Sequence, residues 1–205
     1  MTGETGRIDR NPCLLAVEKG RVGCSERVLE ALREDQVRVK VEVSLVSTGT
    51  ELHNIQGTHT KPFTYPGSTG YISVGRIAGL GSKAEGWKLG ERVLVQMGHF
   101  AQHNAGLDHI LRVPEGVDSV DAATAILLGI SLRGVRGGQV RLGDSVLVVG
   151  LGVIGQFAVH LSKVAGAHPV IAVDPVAKRR EIAQELGADV ALDPKACDVK
   201  AEVFK

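Results

Sequence analysis

The 205-residue sequence predicts two architectures in succession, a small barrel-like antiparallel β domain and then an α/β unit with a parallel sheet. In the first part, short apolar runs alternate with glycine-rich turns, and valines alternate with charged residues from Val37 to Val43. From Gly143 the pattern becomes strand, helix, strand, helix, beginning with the continuous apolar run Val146–Val149. We therefore expect the second part to be a doubly wound parallel sheet.

Further elements set the expected domain boundaries. The candidate strands of the first part are Cys13–Val17, Gln36–Val46, Tyr71–Ala78, Arg92–Gln96, Phe100–His103 and His109–Val113. A helix is predicted from Val120 to Gly134, with Asp118 or Ser119 as its cap. These patterns predict a barrel-type domain at residues 1–119, a connecting helical segment at 120–142 and a partial α/β domain at 143–205.

Composition excludes several classes of partner. The net charge is +1 and the strongest basic cluster is Lys178–Arg180, which gives nucleic-acid binding no electrostatic support. Apolar stretches are too short to cross a membrane, and the polar N-terminus does not resemble a secretory signal. The three cysteines are far apart in sequence, which is typical of a reduced cytoplasm. We expect a cytoplasmic protein.

The strand Val146–Val149 ends in the sequence G-x-G-x-x-G at the start of a predicted helix. In this context Gly150 permits a tight turn, Gly152 lets a pyrophosphate approach the backbone, and Gly155 lets the helix pack closely on the strand. The N-terminus of that helix offers free N–H groups and a positive dipole end to the phosphates. The order of strand, glycines and helix predicts a dinucleotide site, with the alternative that the glycines serve packing alone.

Nineteen residues after Gly155, Asp174 ends a second apolar run. An acid at this position can accept hydrogen bonds from the ribose hydroxyls and repel a 2′-phosphate, which favours NAD over NADP. Arg179, in the basic cluster Lys178–Arg180, weakens that preference. The predicted cofactor-binding residues are Gly150, Gly152, Val153, Ile154, Gly155, Asp174 and Arg179.

Several motifs together resemble the medium-chain dehydrogenase/reductase family. They are Ser47–Leu52, Gly70–Ile77, Gly86–Val93, Arg112–Gly116, the glycine fingerprint and Lys178–Asp189. The resemblance implies a GroES-like domain joined to a Rossmann domain. It also implies hydride transfer between a nicotinamide cofactor and a small carbonyl, alcohol or activated alkene.

The residues that hold zinc in zinc-dependent members of that family are replaced here. Alignment on Gly49 places Glu51 where those members have cysteine, and alignment on Gly70 places Tyr71 and Ile72 where they have a His-Glu pair. The segment 96–111, which would carry the structural zinc lobe, contains no cysteine. The resemblance therefore implies a zinc-independent member.

Three residues of the first domain are candidate catalytic groups. By the resemblance, His53 takes the place of the hydroxyl residue that relays a proton, and Glu51 leaves the same turn. A histidine beside a carboxylate could donate a proton, and Tyr71 could stabilise a developing oxyanion. In the alternative, Glu51 caps a short helix and Tyr71 fills the former metal cavity. His99 and His103 are four positions apart, which on a strand would allow a pair of metal ligands, but no third ligand has a suitable spacing. His59, His109 and His160 are interpreted as satisfied or solvated side chains.

Family members continue well beyond Lys205, so the resemblance implies that only the first half of the Rossmann sheet is present. Its first strand, Val146–Val149, would then be an edge, and we expect a second copy or a partner chain to cover it. Two alternatives to the enzyme remain open. The chain could be a non-catalytic relative that binds nucleotide or a partner, or it could be a piece of a longer dehydrogenase.

Overall fold

A computed structural model describes residues 10–204 of the chain. They form two compact units, of which the first ends at Thr124 and the second begins at Ala125. The elements up to α2 are β1 (Arg10–Glu18), β2 (Arg21–Val28), β3 (Gln36–Ser44), α1 (Thr48–Gln56), β4 (Gly67–Ser68), β5 (Ser73–Leu80), β6 (Arg92–Val95), β7 (Gln102–Gly106), β8 (Ile110–Arg112) and α2 (Ser119–Gly137). The later elements are β9 (Val146–Val149), α3 (Val153–Val164), β10 (Val170–Val173), α4 (Ala177–Glu185), β11 (Val190–Leu192) and α5 (Val199–Val203).

The first unit is built on a five-stranded antiparallel sheet with the strand order β7-β3-β5-β6-β8. The alternation predicted for β3 is present, because Val37 and Val39 are fully buried while Lys40 is exposed. The core of this unit consists of Val37, Val39, Ile77, Ala84, Val93, Val95, Ala105 and Ile110. A second sheet has the order β2-β1-β4.

The second unit contains a parallel sheet with the strand order β11-β10-β9, as expected for the first half of a doubly wound sheet. Its middle strand β10 is buried throughout, which explains its continuous apolar sequence. The core of this unit consists of Leu151, Val159, Ala167, Val170, Ala172, Ala183 and Ala188. The predicted fold class is confirmed.

Local differences from the sequence prediction have physical causes. Strands β2 and β4 and helix α5 were not predicted, because β2 is largely exposed, β4 has two residues and α5 has five. Of the two candidate caps of α2, Asp118 is the one that acts, since its Oδ1 accepts hydrogen bonds from the N–H groups of Val120 and Asp121. Ser119 instead donates its hydroxyl to Glu42.

Strand β9 lies at one edge of the parallel sheet within the described residues. Its side chains alternate in exposure, and Leu147 and Val149 are 44% and 72% exposed. This strand leads directly into the glycine fingerprint, so its position fixes the turn described below. None of the helices in residues 10–204 has the length and apolar character that a membrane span requires.

Candidate functional site

The turn between β9 and α3 has the geometry that its three glycines predict. Gly150 adopts a left-handed backbone conformation, with φ of 88°, and its N–H bonds to the carbonyl of Val173 on β10 at 2.8 Å. A Cβ at Gly155 would lie 1.9 Å from the carbonyl oxygen of Gly150. A side chain at position 155 would therefore force the helix away from the turn.

Gly152 stands in a different environment from its neighbours. It is the N-cap of α3 with φ of −69°, a conformation open to any residue, and a Cβ there would have no protein atom within 4 Å. No side chain caps α3, and the N–H groups of a helix's first turn have no acceptor within the helix. Val153 and Ile154, the first two helical residues, are partly exposed. The helix N-terminus thus presents open donors that suit an anion.

Asp174 fixes the neighbouring end of β10. Its side chain is buried, its Oδ2 accepts a hydrogen bond from Leu151 N at 2.9 Å, and its Oδ1 accepts one from Val176 N at 2.8 Å. Burial alone would raise the pKa of Asp174, but these two donors and the Arg179 guanidinium hold it below its ordinary value. An ionised carboxylate has further lone pairs, so the ribose-binding role predicted for it stays a proposal.

The three basic residues at the start of α4 have different roles. Arg180 donates a hydrogen bond to the carbonyl of Asp174 at 2.7 Å and forms an ion pair with Asp193 at 3.2 Å. Its guanidinium therefore has partners within the protein. Lys178 is exposed and pairs with Glu181. Arg179 approaches Asp174 Oδ2 at 3.5 Å with its side chain half exposed, which leaves it the least constrained of the three.

Sequence reasoning missed Gln156, which follows the last glycine of the fingerprint. Its Nε2 donates to the carbonyls of Leu151 and Arg179, at 3.2 and 2.8 Å, and so joins the glycine turn to α4. Its Oε1 is buried and has no hydrogen-bond partner within residues 10–204. No local pattern singles out this glutamine, because its partners are a turn and a helix separated in sequence.

In the first unit, Glu51 is buried on α1 and has two strong partners. Its Oε1 accepts a hydrogen bond from Ser47 N, the residue before α1, at 2.6 Å. Its Oε2 lies 2.9 Å from Nε2 of His99. The helix-capping alternative for Glu51 is therefore part of its role, and the contact with His99 adds a second part.

His99 is the second residue that sequence reasoning missed. Its ring is buried between two polar groups, with Nδ1 2.8 Å from Ser44 Oγ and Nε2 against Glu51. A Cβ at Gly70 would lie 2.5 Å from Nε2, so the ring occupies space that only glycine leaves free. The sequence grouped His99 with His103, but His103 contacts the carbonyl of Gly98 instead.

The structure separates His53 from the other two catalytic candidates. His53 is exposed and its Nδ1 lies 2.8 Å from the hydroxyl of Thr58. Tyr71 is half-buried and donates its hydroxyl to Ser47 Oγ at 2.9 Å, beside the backbone N–H that Glu51 holds. Glu51 and Tyr71 thus meet at Ser47, and the histidine next to the carboxylate is His99 and not His53.

An open apolar cavity of about 310 Å³ lies beside Glu51 and His99. Its lining residues are Leu14, Val22, Val46, Thr48, Glu51, Leu52, Ile55, Thr69 and His99. Glu51 and His99 are the titratable side chains of this lining. Within residues 10–204, no three His, Cys, Asp or Glu side chains cluster closely enough to hold a metal ion.

Comparisons with known proteins agree with the dehydrogenase motifs of the sequence. A family model described as zinc-binding dehydrogenase matches residues 153–205. D-guloside 3-dehydrogenase of Escherichia coli is 39% identical over 137 residues, which are 65% of this chain and 39% of that enzyme. An alcohol dehydrogenase of Rhizobium meliloti is 30% identical over 200 residues, which are 82% of this chain and 58% of that enzyme.

The chain belongs to the medium-chain dehydrogenase/reductase family. It spans 39% of the length of the D-guloside 3-dehydrogenase and 58% of the length of the alcohol dehydrogenase.

Solved structures of other dehydrogenases share the fold. A zinc-binding dehydrogenase from Sinorhizobium meliloti, solved with NADP, superimposes with a TM-score of 0.83 at 24% identity, over 93% of this chain and 64% of its own. A structure described as a short chain alcohol dehydrogenase from E. coli, solved with NADH, gives a TM-score of 0.84 at 23% identity, over 95% of this chain and 66% of its own. At these levels of identity, the similarity concerns the fold alone.

Proposed function

We propose that this chain acts in a nicotinamide-dependent oxidoreductase that transfers hydride between the cofactor and a small alcohol, carbonyl or activated alkene. The proposal rests on the open space at Gly152. Because this residue has no side chain, the uncapped N-terminus of α3 is accessible to a ligand. A packing role alone accounts for Gly155, where a side chain would collide with the turn. It does not account for Gly152, since a methyl group there would touch nothing in the protein.

The residues around this turn fit a dinucleotide. The backbone at Gly150, Gly152, Val153, Ile154 and Gly155 would hold the pyrophosphate, and the unpartnered Oε1 of Gln156 is an acceptor in need of a donor. When bound, the nicotinamide supplies the two-electron carrier for the redox step. The protein positions that carrier and donates or accepts the proton of the reaction.

NAD is the cofactor that we favour over NADP. Asp174 is held in its ionised form at the end of β10, and a fixed negative charge at this position repels a 2′-phosphate. Arg179, 3.5 Å from the same carboxylate, offsets part of that repulsion. The expected preference for NAD is therefore moderate.

An alcohol–carbonyl pair is the substrate class that the relatives favour, since those described above are named D-guloside 3-dehydrogenase and alcohol dehydrogenase. We also propose that the reaction proceeds without zinc. Glu51 and Tyr71 stand where the family's metal ligands are expected, and Glu51 is already committed to Ser47 and His99. Neither a thiolate nor a free imidazole remains there for a tetrahedral site.

The proposal is tested by the affinity of the purified chain for NADH, measured by fluorescence titration. Gly152→Ala should weaken NADH binding about tenfold or more, because the methyl group occupies the space of the pyrophosphate, and should leave unfolding unchanged. Gly134→Ala is the matched control, since it adds the same methyl group in open space on α2. Equal NADH affinity of both variants and the parent chain would contradict the proposal.

A further inference from the structure

We propose that Glu51 and His99 form the acid–base pair of this site and exchange a proton with the oxygen of a small neutral alcohol or ketone bound in the adjoining cavity. The inference rests on the proposed oxidoreductase function and assigns its proton-transfer group. It starts from the contact between two side chains that are each 5% exposed and separated by 48 positions in the sequence. Tertiary folding alone creates this pair.

The hydrogen bonds around the pair allow it to gain a proton without losing a partner. One proton lies between Glu51 Oε2 and His99 Nε2 in the singly protonated state, and Nδ1 then accepts from the Ser44 hydroxyl. When Nδ1 takes up a second proton, the same hydroxyl rotates and becomes the acceptor. Ser47 N continues to donate to Oε1 in both states. The pair thus changes from a net charge of −1 to neutral with all its heavy-atom contacts intact.

The surroundings of the pair favour proton exchange with a bound molecule. The cavity wall is formed mainly by aliphatic side chains, including Leu14, Val46 and Leu52, and an apolar wall strengthens electrostatic interactions beside it. Thr48 and Thr69 are the neutral polar residues of the lining. Tyr71 is joined to Glu51 through Ser47. A site of this charge fits a neutral ligand and disfavours an anion.

The volume of the cavity, about 310 Å³, suits a small molecule. In the oxidation direction the O–H bond of the alcohol breaks and its proton passes to the pair. The C–H bond of the same carbon breaks, and hydrogen leaves with both electrons as hydride to NAD⁺ while the C=O bond forms. Reduction of the ketone reverses these transfers and returns the proton to the new alcohol.

Protonation of His99 can be measured without a substrate, by hydrogen–deuterium exchange at the C2 position of each histidine followed by mass spectrometry across pH 4–10. Glu51→Gln replaces the charged partner of the ring, so the exchange curve of His99 should differ from that of the parent chain. Ser44→Ala removes the other partner of the ring and should cause a smaller change. The exposed His109 serves as the internal control and should not change.

Identical exchange curves for His99 in the three proteins would overturn the proposal, because the pair would then only connect α1 to the sheet. Ser44 is an exposed residue, so Ser44→Ala keeps the test valid if Glu51→Gln fails to fold. NADH affinity is measured on the same samples. Loss of NADH binding by the parent chain contradicts the proposed function, whereas normal NADH binding with an unresponsive His99 contradicts this inference alone.

The chemical step is tested with NAD⁺ and three secondary alcohols: cyclohexanol, butane-2,3-diol and the anion 3-hydroxybutyrate. We expect turnover of the two neutral alcohols and much weaker turnover of the anion. His99→Gln should lower kcat for the neutral alcohols by about 10²- to 10⁴-fold with NADH affinity unchanged. Retention of kcat within about tenfold, preference for the anion, or lack of turnover of both neutral alcohols by the parent chain would each contradict the proposal.

Discussion

The carboxylate of Asp174 accepts a hydrogen bond from the backbone N–H of Leu151 at 2.9 Å, across two neighbouring strands of the parallel sheet. Leu151 is the residue between the first two glycines of the fingerprint, and it is itself fully buried. The acid that is expected to meet the ribose therefore also holds the turn that is expected to meet the pyrophosphate. Its two roles lie within one side chain.

Asp174→Asn should destabilise the second unit, because the amide can accept only one of the two backbone hydrogen bonds and turns a donor toward the other. We expect a loss of about 1–3 kcal/mol in the free energy of unfolding, measured by urea titration at pH 7. Because the pKa of Asp174 is depressed in the folded chain, its contribution is present above the unfolded pKa and is lost as the pH falls through the folded value. The difference between parent and variant should therefore shrink in acid, and an equal difference at pH 7 and pH 3 would be inconsistent with this role.

Gly155→Ala should be far more damaging than Gly152→Ala. A methyl group at position 155 collides with the Gly150 carbonyl oxygen, whereas the same group at position 152 meets nothing within 4 Å. We expect Gly155→Ala to lower the free energy of unfolding by about 1–3 kcal/mol or more and Gly152→Ala to change it by less than about 0.5 kcal/mol. Circular dichroism during thermal unfolding gives the comparison, and similar midpoints for the two variants would refute the description of the turn.

His103 should make the first unit sensitive to mild acid. Burial lowers the pKa of His103 to about 4, against the hydrogen bond to the Gly98 carbonyl, which raises it. The unfolded chain binds a proton at this residue near pH 6.5 and the folded chain does not, so stability falls as the pH drops from about 6.5 to about 4. The effect amounts to up to roughly 3 kcal/mol. His103→Gln should flatten urea-unfolding stability over this range, and an unchanged slope would exclude His103 as its source.

Arg179→Gln should sharpen the preference for NAD over NADP. Without the guanidinium, the charge of Asp174 faces a 2′-phosphate with less compensation, so the affinity for NADPH should fall about tenfold while that for NADH changes by less than about threefold. Lys178→Gln is the matched control, because Lys178 lies on the same helix and pairs with Glu181. Equal effects of the two variants on NADPH would indicate a general loss of positive charge and not a specific contact.

Strand β9 should mediate association with a second copy of the chain. It is a sheet edge in the described part of the chain, and Leu147 and Val149 carry apolar side chains into solvent. Light scattering after size-exclusion chromatography should give a mass that rises with concentration, and Val149→Lys should reduce it. A monomer at every concentration, with β9 amides that exchange freely with deuterium, would show that the edge stays unpaired.

The sequence predicted best where one local pattern decides the structure. The run Val146–Val149, the three glycines and Asp174 fix a strand, a turn and a second strand within a short stretch of chain, and the structure contains all of them. The alternation in β3 likewise has a single explanation, burial of one face. Strand β2 has no such pattern, since it is held by its pairing with β1 and is exposed along much of its length.

The candidate site of the first unit was predicted only in part, for a physical reason. Glu51 and Tyr71 were identified by position, but the histidine beside the carboxylate comes from a bend 48 positions further along the chain. Local spacing carries no information about such a contact. In the sequence Gly70 serves only as an alignment point, and its closeness to the His99 ring emerges only from the fold.

Thermal unfolding of the chain with NADH, AMP or no ligand tests the central claim of a nicotinamide-cofactor site most directly. A ligand that binds only the folded state raises its stability by about 2.7 kcal/mol at a hundredfold excess over Kd. We predict that NADH stabilises the parent chain well beyond AMP, and that Gly152→Ala removes most of this stabilisation while unfolding normally without ligand. Equal stabilisation by NADH and AMP, or none by either, would contradict a complete nicotinamide site and leave at most a nucleotide-binding module.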